Sequence, residues 1–121
     1  MSSAMSNKAL YQRYLDALAY PAPEKHAALV NDLFAKDAVI NVVHPFNELK
    51  GSTDYIAKFL TPLGHSFEGL YRRDYIAMGG EFDGGDWVSS TGYYVGHFSR
   101  DWIGIKATNA LAYLRFGEFH R

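Results

Sequence analysis

The chain has 121 residues, with 12 Lys and Arg against 13 Asp and Glu, five His and no Cys. That is enough chain for one domain, and its net charge of −1 provides no basic footprint for nucleic acid or an anionic membrane. Without Cys there is no disulfide scaffold, thiolate nucleophile or Cys-ligated metal.

Apolar runs fall far short of the ~20 residues needed to span a bilayer, and the polar N-terminus has no apolar signal core. A cytoplasmic location is therefore expected. Aromatic residues make up 16%: nine Tyr, eight Phe and two Trp. Rings with polar tips suit a ligand-lined cavity as well as a dry core.

Residues 1–7 read as a disordered lead-in, and 8–121 as a single domain. From Lys8 to Tyr20, Leu10, Tyr14, Ala17 and Leu18 recur at helical spacing, and Pro21 ends the run. Pro23 and Glu24 suit the first turn of a second helix, with Leu29, Val30, Leu33 and Phe34 as its buried stripe. The β-branched run Ala38–Val43 predicts a strand, closed by His44-Pro45-Phe46. Ser52 reads as the N-cap of a third helix, with Tyr55, Ile56, Phe59 and Leu60 as its stripe and Pro62 and Gly64 closing it. Leu70–Phe82 and Trp87–Phe98 alternate as long strands about a hairpin turn at Asp83-Gly84-Gly85-Asp86. Ser99–Asn109 reads as a longer connection, a mobile loop or bulge whose Trp102 and Ile103 can form a lid, cover a sheet edge or meet a partner chain, and Leu111–Arg121 as a last strand. Helices followed by a meander predict an α+β fold, a curved, mainly antiparallel sheet wrapped on three N-terminal helices around a cone-shaped cavity.

No hydrolase elbow, zinc-protease helix, P-loop or dinucleotide fingerprint is present. The five His share no ligand spacing on one element, so no metal is expected. A period of two places Leu114, Phe116, Glu118 and His120 on one face of the last strand. If that face is inward, apolar neighbours raise the pKa of Glu118 and fit it for acid–base work. A register shifted by one would instead turn Arg115 inward. Val88, Ser90, Gly92, Tyr94, Gly96 and Phe98 share a face that suits a pocket wall. Tyr94 can donate to a substrate oxygen, or can serve as a core Tyr bonded to backbone. His44 stands at a strand end, where functional side chains collect. The opposite face, with Tyr93, Val95, His97, Tyr113 and Phe119, is apolar enough to predict a homodimer through it.

Three segments carry a family resemblance: Trp87 with Thr91-Gly92-Tyr93-Tyr94-Val95-Gly96-His97-Phe98, then Gly104-Ile105-Lys106-Ala107-Thr108-Asn109, then Phe116-Gly117-Glu118-Phe119-His120-Arg121. Together they resemble the SnoaL-like polyketide cyclases of the nuclear-transport-factor-2-like superfamily, over roughly residues 8–121. The resemblance implies an α+β cone, commonly a homodimer, and an intramolecular aldol condensation of polyketide esters without metal or cofactor. It implies Glu118 as the acid/base, where the family usually carries Asp, and sets Tyr94 at the family's supporting His. Around Glu118 and Tyr94, the residues His44, Trp87, Phe98, Leu114, Phe116 and His120 are expected to contact a small hydrophobic or polyketide-like molecule. Family members continue past the Arg into a further hairpin and strand, so either a truncated C-terminus or an unusual closure of the sheet is expected. Within the same superfamily a non-catalytic module, binding a hydrophobic ligand or a partner, is the alternative.

Overall fold

The computed structural model describes residues 3–21 and 23–121. Of the predicted lead-in, Met1 and Ser2 lie outside the described residues, and Ser3–Asn7 form the first turns of helix α1, Ser3–Leu18. Its buried stripe is Tyr11, Tyr14, Leu15 and Leu18. Leu10 and Ala17, read as core, face solvent, because α1 is rotated to seat two tyrosines over the sheet. It packs across strands β3 and β4 described below.

Helix α2, Pro23–Leu33, buries Val30 fully and half-buries Leu29, Leu33 and Phe34. The predicted strand Ala38–Val43 is shorter, β1 Val39–Asn41. It pairs antiparallel with a strand absent from the sequence reading, β2 Glu48–Lys50. Three residues of Glu-Leu-Lys carry no strand signal of their own. Pairing with β1 and the burial of Leu49 define the strand.

The third helical stretch runs from Gly51 to Ser66 in three parts: α3 Gly51–Tyr55, one π-helical turn Ile56–Leu60, and α4 Thr61–Ser66. Ser52 does not cap it. Lys50 holds the cap position, its N–H donating to Asp54 Oδ2 at 3.0 Å, while the Ser52 hydroxyl donates to Asn31 Oδ1 at 2.8 Å. Nor do Pro62 and Gly64 end the helix. Proline removes a donor and crowds the preceding turn of a regular helix, and here the turn before it is π-helical, with the Thr61 N–H bonded to the Ile56 carbonyl.

One antiparallel sheet of order β3-β4-β5 forms the opposing layer: β3 Phe67–Phe82, β4 Gly85–Phe98 and β5 Leu111–His120. The β3–β4 hairpin turns at Asp83-Gly84, both at positive φ (47° and 73°), the twist a two-residue hairpin loop needs. Two bulges in β3, between Glu68 and Tyr71 and between Asp74 and Ile76, bend the strand around the helices. Gly92 lets β3 approach closely, since a Cβ there would lie 2.0 Å from the Arg73 carbonyl oxygen. The result is the expected α+β arrangement, three helical stretches on a curved antiparallel sheet.

Two cores fill it. One gathers the α1 stripe with Val30, Leu49, Tyr55 and Val88, and the other joins Leu63, Phe67, Leu70 and Phe98. The connection after β4 is pinned rather than loose. The Ser66 hydroxyl donates to the Asp101 carbonyl (3.0 Å), Asp101 Oδ1 accepts the Ala107 N–H (2.8 Å), and Trp102 and Ile105 exchange backbone bonds of 3.0 and 2.8 Å. Trp102 packs half-buried against Phe46 and Phe67. On the outer face Tyr113 is 60% and Phe119 77% exposed, as their alternation predicts. Val95, grouped with them by alternation, is buried, flanked in register by Tyr71 and Tyr113. Among the described residues, no helix is long and apolar enough to cross a membrane.

Candidate active site

Strand register turns the expected face inward. Along β4–β5 the pairs are Val88–His120, Ser90–Glu118, Gly92–Phe116 and Tyr94–Leu114. The shifted alternative fails: Arg115 lies outside, its Nε donating to Thr91 Oγ1 at 3.2 Å and its guanidinium 5.3 Å from the rings of Tyr75 and Tyr93.

On β3 the same inner face carries Arg72 and Asp74, opposite Tyr94 and Gly92. Arg72 is 1% exposed. Its Nε and Nη2 donate to the two carboxylate oxygens of Asp74, each at 2.9 Å, the bidentate geometry that holds a guanidinium most firmly. Nη2 also pairs with Glu118 Oε1. Longer contacts of 3.5 Å reach the hydroxyls of Tyr11 and Tyr94, and the guanidinium carbon lies 4.1 Å over the centre of the Phe116 ring. The Ser90 hydroxyl donates to Asp74 Oδ2.

Glu118 is therefore no lone carboxylate among apolar neighbours. Oε1 meets Arg72, and Oε2 meets His120 Nε2. Burial pushes its carboxyl up, but the His120 hydrogen bond and the Arg72 charge outweigh burial and hold it below the usual Glu value. The expected upward shift is thus reversed, because it counted only apolar neighbours and missed both the hydrogen bond from His120 and the cation across the sheet. That cation is Arg72. Burial raises the phenols of Tyr11, Tyr14, Tyr55 and Tyr94, so they remain protonated donors.

Most of this cluster is sealed, but its end is not. The side chain of Glu118 is 21% and that of His120 25% exposed. The His120 ring lies between Tyr11 and Phe34, with centroids at 5.3 and 5.4 Å.

The remaining predicted contacts divide. Phe116 and Leu114 share the inner face, Phe116 against Tyr94 at 5.1 Å and Leu114 against the second core. Tyr94 reaches Glu118 only through Arg72. Phe98 is buried, stacked on Phe67 at 4.6 Å. His44 is exposed in the β1–β2 loop, outside the cluster. Trp87 is on the outer face, its Nε1 donating to the Phe82 carbonyl at 3.1 Å. There it lines an apolar cleft of about 470 Å³ with Met78, Phe82 and Phe119. A second cleft of about 440 Å³, beside Glu24, His26, Thr61 and His65, opens between α2 and α4; Glu118 lines neither. Among the described residues no three His, Asp or Glu side chains gather as a metal site.

The sequence reading missed Arg72, Asp74 and Tyr11. Leu70, Arg72 and Asp74 do alternate onto one face, a usable signal, but the flanking bulges hide which face it is.

No family model matches the chain, and no curated protein matches it. A solved structure does: a crystal structure from Xanthomonas campestris pv. campestris, described as a "putative polyketide cyclase". It is similar over 98% of this chain and 82% of its own, with 18% identity and a TM-score of 0.70. The chain therefore has a polyketide-cyclase-like α+β fold.

Proposed function

We propose that this protein is a cofactor-independent small-molecule enzyme resembling the SnoaL-like cyclases, catalysing an intramolecular aldol reaction of a hydrophobic, polyketide-like substrate. The observation that carries this reading is the pairing of Glu118 and His120 at the one end of a buried polar cluster that solvent reaches. Apolar walls with a few convergent polar groups are the ordinary make-up of a small-molecule site.

In this mechanism the Glu118–His120 pair takes a proton from a carbon α to a carbonyl. The enolate carbon attacks a second carbonyl of the same molecule, forming a C–C bond, and the resulting alkoxide takes the proton back. Arg72, its donors committed to Asp74 and Glu118, fixes the carboxylate and does not meet substrate. Tyr94, kept protonated by burial, lies behind Arg72 and supports that guanidinium rather than the enolate oxygen.

Incubation with a panel of aromatic polyketide esters, followed by chromatography and mass spectrometry, tests this. The expected product has the substrate's mass, or one water less, and is lost in a Glu118→Gln/His120→Gln double variant. Absence of both enzyme-dependent conversion and ligand-induced stabilisation across the panel refutes it.

The exposed outer face supports a second proposal, a homodimer. Tyr113, Phe119 and the cleft at Met78, Phe82 and Trp87 give it exposed apolar surface, of the kind that marks an interaction site. Light scattering at roughly tens of micromolar, above typical dimer constants, should give twice the chain mass; a monomer refutes it.

A further inference from the structure

We infer that the proton acceptor of this site is Nδ1 of His120, and that Glu118 is the residue that positions it. This rests on the acid–base reading above and assigns its base.

Both oxygens of Glu118 are engaged, Oε1 by Arg72 and Oε2 by His120 Nε2. A carboxylate whose lone pairs already accept two charged or polar donors has little left for a C–H proton, and the same contacts make it a weaker base. The imidazole is arranged the other way. A carboxylate can only accept, so the nitrogen facing it carries the hydrogen: Nε2 is N–H, and in the neutral ring Nδ1 holds the lone pair. Among the described residues nothing hydrogen-bonds Nδ1, and the His120 side chain is 25% exposed. The ring is clamped by Tyr11 and Phe34, which fixes its plane. The protonated ring would lie beside an anion, which stabilises the imidazolium formed as the proton arrives. This is the division of labour of an acid–histidine pair, in which the carboxylate sets tautomer and orientation and never takes the proton. Arg72 and Asp74, behind Glu118, keep that carboxylate ionised and still.

Nitrobenzisoxazole tests this without the natural substrate. A base removes its ring C–H proton, the N–O bond breaks, and a coloured cyanophenolate forms. The groups around His120 are Glu118 on β5, Arg72 and Asp74 on β3, Tyr11 on α1 and the Phe34 ring. His120→Gln should lower the rate by ~10²-fold or more. Glu118→Gln keeps an acceptor for Nε2–H and should retain part of the rate. Its loss should fall on kcat with KM unchanged, a split that loosened packing alone would not produce. If Glu118→Gln abolishes the rate and His120→Gln does not, Glu118 is the base and the inference is overturned. Nitrogen NMR of the His120 ring in the unmodified protein is a second measurement, independent of how either variant folds. Hydrogen on Nε2 supports the assignment, and hydrogen on Nδ1 overturns it while leaving an acid–base site in place. A wild-type rate no faster than that of the double variant, with hydrogen on Nε2, overturns the acid–base reading and the inference with it.

Discussion

An Arg72→Met variant removes the guanidinium that serves both interior carboxylates, Asp74 and Glu118. Methionine can occupy much of the same space beside Phe116, Tyr11 and Tyr94, so the loss is mainly electrostatic. Breaking a buried ion pair from one side costs ~3–5 kcal/mol. Ser90 still donates to Asp74, and His120 still contacts Glu118, which places the expected cost in the lower half of that range. At roughly 4 °C per kcal/mol for a domain of this length, Tm should fall by about 12–16 °C near neutral pH. The pH dependence is more discriminating. In the native protein the Glu118 carboxyl is held low, so its contribution is present above the unfolded pKa and is lost as pH falls through the folded value. In the variant, burial persists without the cation and only the His120 contact opposes it, so the folded pKa lies higher than in the native protein. That variant gains relative stability as the carboxyl protonates. Melts followed by circular dichroism from about pH 7 to about pH 4 should therefore show the two Tm values converging. A neutral-pH loss below about 3 °C, less than 1 kcal/mol on the same scale, or a gap constant with pH, would refute the assignment of Arg72 as the cation that holds Glu118.

Gly92→Ala places a methyl 2.0 Å from the Arg73 carbonyl oxygen. Backbone cannot swing away as a side chain can, so unfolding in denaturant should show a loss near the upper end of overpacking costs, about 3 kcal/mol. Leu63→Ala, at a fully buried position, should lower the denaturation midpoint by the equivalent of ~2–5 kcal/mol with an unchanged slope. Ser52→Ala strands Asn31 Oδ1 and should cost about 1 kcal/mol by the same measurement; no loss would mean that the bond contributes nothing net.

The alternation of β4 and β5 was legible because both strands run without a bulge through the site. Ser90–Glu118 and Val88–His120 are direct partners, and a period of two suffices to find their shared face. In β3 the two bulges change the parity of the strand: Arg72 and Asp74 point inward at even positions, while Ala77 and Gly79 face Ser90 and Val88 from odd ones. No periodicity count carries across such a change. The direction of the Glu118 shift was lost in part with it: beside the His120 hydrogen bond, the Arg72 charge that lowers it sits two strands away in space and 46 positions away in the chain (118 − 72). Strand β2 was illegible for another reason: its three residues are a strand only because β1 lies beside them. The α1 stripe was misread by one position. Leu10 looks more apolar than Tyr11, yet Tyr11 has a buried guanidinium to meet.

The π-helical turn Ile56–Leu60 holds one more residue than the regular turn it replaces. The helix thus behaves as two segments with different phases, joined by a slack link. Upstream, Tyr55 faces Phe34 and the first core; downstream, Leu63 faces Phe67 and the second. A strict 3.6-residue repeat through the same positions would set Leu63 about 100° away from its core. Loss of one residue between Ile56 and Leu60 would restore the regular repeat and keep the two cores in phase, because the residue removed is the extra one the π-helical turn holds. A gain or loss of one residue elsewhere in the helix would instead set Leu63 about 100° away from its core. This turn is therefore where the stretch can shorten by a residue without losing register, although few of its side chains are individually demanding.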